Sequence, residues 1–110
     1  MSPLIPDGTL VSLQLIVPVA WQDTVVDWLL DHPSLYEEFV LHPAMAHART
    51  ASSPSPKEQV QGHGDGVLVH VVLPQSNWPA VQRGLLPQLA RAAGRWWLTP
   101  VIASGLIGRS

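Results

Sequence analysis

Three features of the sequence predict an α+β fold: an internal repeat, a change of hydrophobic period within each copy, and prolines where strands must stop. Val11–Pro18, VSLQLIVP, recurs as Val67–Pro74, VLVHVVLP, at an offset of 56 residues (11 against 67). The offset persists beyond the prolines, where Val25, Leu29 and Leu30 fall opposite Val81, Leu85 and Leu86. Trp21 and Trp78 agree to within one residue. Each copy alternates apolar residues at period two, meets a proline and then changes to helical spacing, so strand, turn and helix are written twice.

The elements follow in order. Met1–Gly8, with two prolines and an Asp-Gly turn signal, is a lead-in. The first strand sets Val11, Leu13, Leu15 and Val17 on one face and Leu10, Ser12, Gln14 and Ile16 on the other, and Pro18 ends it. From about Ala20 a helix aligns Trp21, Val25, Trp28 and Leu29 in a stripe widened by Val26 and Leu30, with Gln22, Asp23, Asp27 and Asp31 outside. His32-Pro33 stops it, because a residue before proline resists the helical region.

The second strand lies within Leu35–Ala48, and Pro43 marks it as an edge. Arg49–Gly66 is a long loop of Ser, Pro and Gly, of the length that tends to be functional or disordered. Val67–Leu73 is the third strand. The second helix is expected to start at Ser76 as N-cap and to bury Trp78, Val81, Leu85, Leu89 and Ala92. Gly84 and Pro87 should weaken it, and Gly94 should close it as a left-handed C′ residue. Arg95–Ile102 is the fourth strand, with Pro100 again marking an edge. The order βαββαβ is that of the ferredoxin-like sandwich: a four-stranded antiparallel sheet, the repeated strands central, two helices on one face.

Composition narrows the function. At 110 residues the chain is a single domain, residues 1–110. It is 46% hydrophobic and only 13% charged, about half the usual charged share of ~25%. Leu10, Ser12, Gln14, Ile16, Leu68, His70 and Val72, on the face away from the helices, are more apolar than a solvated sheet face should be. Both features point to an oligomer in which another copy covers that face. A net charge of −2 and six scattered Lys and Arg give no field for nucleic acid or anionic membranes. Without cysteine there are no disulfides or thiolate metal sites. No signal peptide and no run near the ~20 residues of a membrane span is evident, so direct membrane insertion is not expected and the cytoplasm is the default.

Two groups of residues bear on chemistry. His42, His47 and His63 are the candidate ligands for Zn²⁺ or Cu²⁺. A spacing of five on an extended strand puts His42 and His47 on opposite faces unless Pro43 introduces a bulge; solvated loop histidines are the alternative. His70, midway along the third strand, reads as a buried or interfacial histidine with a hydrogen-bond partner. The second group is Gly62-His63-Gly64-Asp65-Gly66, whose glycines can free backbone N–H groups to face an anion, or can simply form a flexible loop. It is no P-loop: GK[ST] is missing, and the segment precedes a strand. No nucleophile–base–acid set stands out, since no serine lies in a G-x-S-x-G turn and Glu37-Glu38 face opposite ways on a strand.

LIVP, VVDWLLDH, KEQVQG, VVLP and WWLTPVIASGLI, together covering Leu10 to about Ile107, resemble the PII-like proteins of the wider superfamily that includes the CutA-like proteins. More specifically the chain is similar to a small PII-like family found beside heavy-metal efflux pump genes in bacteria. The resemblance implies a non-enzymatic, homotrimeric regulator with sheets inward and helices outward, linked to metal transport or metal stress, with a membrane transporter as partner. It also implies an effector, a nucleotide or a divalent metal ion, in clefts between subunits. Carried onto this sequence, the effector-binding positions are Arg49, Lys57, Gln59, Gly62, His63, Gly64 and Asp65, with Arg95 and Thr99 nearby. Relatives are typically basic after EQV-x-G, whereas this chain has His63-Gly64-Asp65-Gly66, which strengthens the histidine option relative to the phosphate one. Two alternatives stand beside this reading: a protein of the same fold that binds Cu or Zn directly through histidine, and a small ferredoxin-like enzyme.

Overall fold

The computed structural model describes residues 9–45 and 65–108. Four strands form one antiparallel sheet: β1 (Leu10–Pro18), β2 (Glu38–Met45), β3 (Asp65–Pro74) and β4 (Arg95–Val101), in the order β2-β3-β1-β4. Helix α1 (Gln22–Asp31) follows β1, and α2 (Trp78–Gly84) follows β3. This is the predicted α+β ferredoxin-like sandwich, with the repeated strands central and the strands interrupted by Pro43 and Pro100 at the edges.

The repeat is visible in three dimensions. Both Pro18 and Pro74 lead into a short 3₁₀ turn, Val19–Trp21 and Gln75–Asn77, before the helix begins. The matched pairs Val25 and Val81, Leu29 and Leu85, are all completely buried. The equivalence ends at the next position: Leu30 is 60% exposed, so it does not widen the stripe of α1 as its period suggested. Ten residues allow only a narrow inward face on α1, and Val25, Trp28 and Leu29 fill it.

Period two decides the sheet. Val11, Leu13, Leu15 and Val17 of β1 and Val67, Val69, Val71 and Leu73 of β3 are buried under the helices. Each such aliphatic side chain stabilises the fold by about 1.5–3 kcal/mol relative to an exposed one. β2 runs straight through Pro43 without a bulge, since His42, Pro43 and Ala44 pair in unbroken register with Leu68, Val67 and Gly66. The strand is at the edge, so one face of its hydrogen-bonding groups has no ladder partner to lose.

The second helix departs most from its sequence pattern. It lasts seven residues and gives way to a 3₁₀ turn at Leu86–Leu89, where Pro87 withholds its N–H. Its N-cap is Asn77 instead of Ser76, and Asn77 does not cap with its side chain. Its Nδ2 donates to the Leu35 carbonyl at 3.1 Å, tying the start of α2 to the turn before β2. Gly94 is not the left-handed residue; Ala93 is, at φ 56°. Gly94 is needed for another reason, because a Cβ there would run into the backbone oxygen of Ile16 as the chain crosses into β4.

Candidate functional site

The strand registers place every open-face residue on a grid. The central row runs Val40, His70, Gln14, Trp97 across β2, β3, β1 and β4. The next row runs His42, Leu68, Ile16, Arg95, and the row on the other side runs Glu38, Val72, Ser12, Thr99. Glu38 and Arg95 are thus the charged residues of this face within the described strands, and they stand at opposite edges and in different rows. Leu10, Ser12, Gln14, Ile16, Leu68, His70 and Val72 are half-buried in the single chain, and Val40 is 46% exposed.

His42 and His70 meet on this face as diagonal neighbours, one rung apart on adjacent strands. Their Nε2 atoms are 3.2 Å apart, with one ring donating its N–H to the other. The ring centroids are 5.3 Å apart at an interplanar angle of 18°. That separation exceeds the nitrogen–nitrogen distance by nearly two ring radii, so the rings meet tip to tip and not face to face. The expected hydrogen-bond partner of His70 is therefore His42. Sequence spacing paired His42 with His47 or His63 instead; 28 residues separate His42 from His70, and only the β2–β3 register brings them together.

Met45 and Asp65 face each other on the last rung of the β2–β3 ladder, where the segment 46–64 leaves the sheet and returns. Of the sequence-derived site residues, His42 and Asp65 are thereby placed, Asp65 as the first residue of β3 and not within the loop. His47, Arg49, Lys57, Gln59, Gly62, His63 and Gly64 lie outside the described residues. Arg95 opens β4 at the same end of the sheet as Asp65, while Thr99 sits towards the other end. Among the described residues no group of three or more His, Asp or Glu is assembled for a metal ion.

Among the described residues, two clefts adjoin the sheet. One, of about 240 Å³, lies at the Asp65 end, between Leu15 and Val17 of β1, the Leu86–Leu89 turn, Arg95 and Trp96. Its rim is braced by Trp96 against Trp78, with ring centroids 5.1 Å apart. The other, of about 370 Å³, lies at the far end between Leu10, Val72, Glu37, Glu38 and the tail residues Ser104–Leu106. Arg95 is among the residues at the rim of the first cleft, whereas Glu37 and Glu38 line the second. Electrostatics thus favours the first for an anionic ligand. At about 240 Å³ it is smaller than the ~300–1,000 Å³ usual for a ligand pocket.

A family model described as a protein of unknown function, DUF3240, matches residues 8–108. No curated protein matches the chain. The structure is similar to that of a DUF3240 family protein from Shewanella baltica OS155, with a TM-score of 0.74 at 19% identity over 91% of this chain and 98% of that one. It is also similar to CPII, a nitrogen regulatory PII-like protein from Thiomonas intermedia K12 bound to ADP, AMP and bicarbonate, with a TM-score of 0.65 at 11% identity over 89% and 97% of the two chains. A third likeness is to a protein of Thermus thermophilus described as PII-like signalling, with a TM-score of 0.59 at 10% identity over 84% and 87%. The ferredoxin-like fold of this chain is the one these PII-like proteins have.

Proposed function

The chain belongs to the DUF3240 family, and from that membership and the geometry of its sheet we propose that it is a non-enzymatic, homotrimeric, PII-like regulatory protein. The observation that carries the reading is the open face. Ile16, Leu68 and Val72 stand half-buried on two central strands, on the face away from the helices, and a second copy of the same surface is the cover that matches them. A small effector binds at the Asp65 end of the sheet. The residues assigned to it are Arg49, Lys57, Gln59, Gly62, His63, Gly64 and Asp65, with Arg95 nearby in the family pattern. The small size of the cleft beside Arg95 supports a site shared between copies, each supplying part of the wall. CPII binds ADP, AMP and bicarbonate, and an anionic effector of that kind suits the arginine and lysine named here.

The regulated partner is a membrane transporter concerned with metal, acting on or beside a chain that works in the cytoplasm. The family resemblance supports this part. No helix among the described residues is long and apolar enough to cross a membrane, which agrees with a partner that supplies the membrane spans itself.

Light scattering on the purified chain combined with calorimetric titration of ADP, AMP, ATP and bicarbonate tests the reading. A trimer mass and saturable heat from one of these ligands are the expected results. A monomer mass at micromolar concentration overturns the assembly, and no heat from any of them overturns the effector class.

A further inference from the structure

We infer that His42 and His70 form a two-imidazole site for a divalent transition-metal cation on the open face of the sheet. The pair lies within one chain, so the inference does not rest on the trimer or on the effector reading. Two bonds of ~2.0–2.1 Å to one ion at a tetrahedral angle hold their nitrogens about 3.3 Å apart. The two Nε2 atoms already stand at 3.2 Å. Few side chains need to move: His70 is held in a central strand paired on both sides, whereas His42 is exposed on an edge strand and free to swing its ring out of line. That rotation turns the tip-to-tip contact into two lone pairs converging on one ion.

The donor set selects the class of ion. Imidazole nitrogen suits Zn²⁺, Cu²⁺ and Ni²⁺, while Mg²⁺ and Ca²⁺ require oxygen ligands that this pair does not supply. Without metal, one Nε2–H is shared as an N–H···N hydrogen bond. To coordinate, the donor ring moves that proton from Nε2 to Nδ1 through solvent. Both rings then bind as neutral Nε2 ligands, and the neutral pair releases no net proton. Among the described residues charge does not oppose binding: Arg95, their cation on this face, stands at the far edge of the row that holds His42, three strands away or about 14 Å. Glu38 lies on the same face of β2 as His42. With no third His, Asp or Glu gathered among the described residues, water or an exogenous ligand fills the remaining positions.

The test is calorimetric titration of the full chain with ZnCl₂, MgCl₂ serving as the control, and histidine side-chain ¹⁵N spectra recorded before and after. The expected result is one Zn²⁺ per chain, no Mg²⁺ binding, and both rings locked in the Nδ1–H form. His42→Ala and His70→Gln should each weaken Zn²⁺ at least ~10-fold, since losing a ligand costs no less than losing its supporting partner. The double variant His47→Ala with His63→Ala should bind as the parent does. If His70→Gln does not fold by circular dichroism, the exposed His42→Ala decides alone. Absence of Zn²⁺ uptake at micromolar protein overturns the site. So does uptake that survives His42→Ala, or uptake lost in the His47/His63 variant.

Discussion

Gly84 of α2 leaves no room for a side chain beside Trp28 of α1. A Cβ built on it would overlap Cζ2 of the indole and stand 3.1 and 3.3 Å from Cε2 and Nε1. The two helices therefore approach through a glycine, and Trp28 fills the space that glycine leaves. The same indole stacks on the His32 ring, with centroids 4.0 Å apart, while His32 Nδ1 and the Trp28 carbonyl lie 2.7 Å apart.

Gly84→Ala should consequently destabilise the protein, although alanine is the better helix former by about 1 kcal/mol. Overpacking against a rigid indole costs typically 1–3 kcal/mol, and the clash outweighs the propensity. The urea midpoint should fall, and a rise would show that Trp28 can repack.

At the entry to β4 two neighbouring residues should respond in opposite directions. Ala93 occupies the left-handed region at φ 56°, which costs a residue with a Cβ about 1–2 kcal/mol. Ala93→Gly relieves that, so it should stabilise the fold by about 0.5–1 kcal/mol after the entropic loss from greater freedom of the unfolded chain, and the midpoint should rise. Gly94→Ala should lower it more than Gly84→Ala does, because its obstacle is the backbone oxygen of Ile16, which cannot rotate away. Equilibrium unfolding of the three variants settles the ranking.

On the helix-capping side, His32→Ala removes both the ring stacked on Trp28 and the Nδ1 contact to its carbonyl. A loss of about 1 kcal/mol is expected, the net worth of one such hydrogen bond. Thermal unfolding followed by circular dichroism at 222 nm measures it.

Leu68→Asp tests the assembly. The substitution puts a carboxylate in the middle of the open face, between His42 and Ile16 on one rung, and leaves the helix-covered core untouched. Light scattering should return a smaller mass than the parent's with the far-ultraviolet spectrum unchanged. A trimer that persists would mean that this face is not the interface.

The effector assignment separates by charge. Arg49→Ala with Lys57→Ala should weaken an anionic effector by the ~1.5–3 kcal/mol of each charge-assisted hydrogen bond removed, measured by calorimetry. His63→Ala should leave that affinity nearly unchanged.

Much of the scaffold could be read from the residues, because strands report their faces directly. Val11, Leu13, Leu15 and Val17 had to lie together, and the repeat at Val67–Leu73 had to share their layer. What escaped reading involved distances that no local pattern encodes. Gly94 looked like a helix terminator, and only the approach of β1 shows that it answers to Ile16. Asn77 spends its side chain on Leu35, 42 residues away, so it does not serve its own helix. Leu30 repeats Leu86 in sequence but points off the narrow inward face of α1. The His42–His70 pair was hidden for the same reason: each histidine could be assigned to a strand, but their meeting depends on which rung opposes which. A register that pairs Pro43 with Val67 would have revealed it, since it sets Val40 against His70 and His42 against Leu68.

The rung formed by Met45 and Asp65 has an evolutionary consequence. Since β2 and β3 are locked in register up to that rung, whatever joins its two ends can be lengthened, shortened or exchanged without sliding a strand. The described valines and leucines buried beneath the helices all belong to elements outside 46–64. A change of length or composition between Met45 and Asp65 is then a change at one end of the sheet, with the pairing of the four strands as the fixed frame on which it is made.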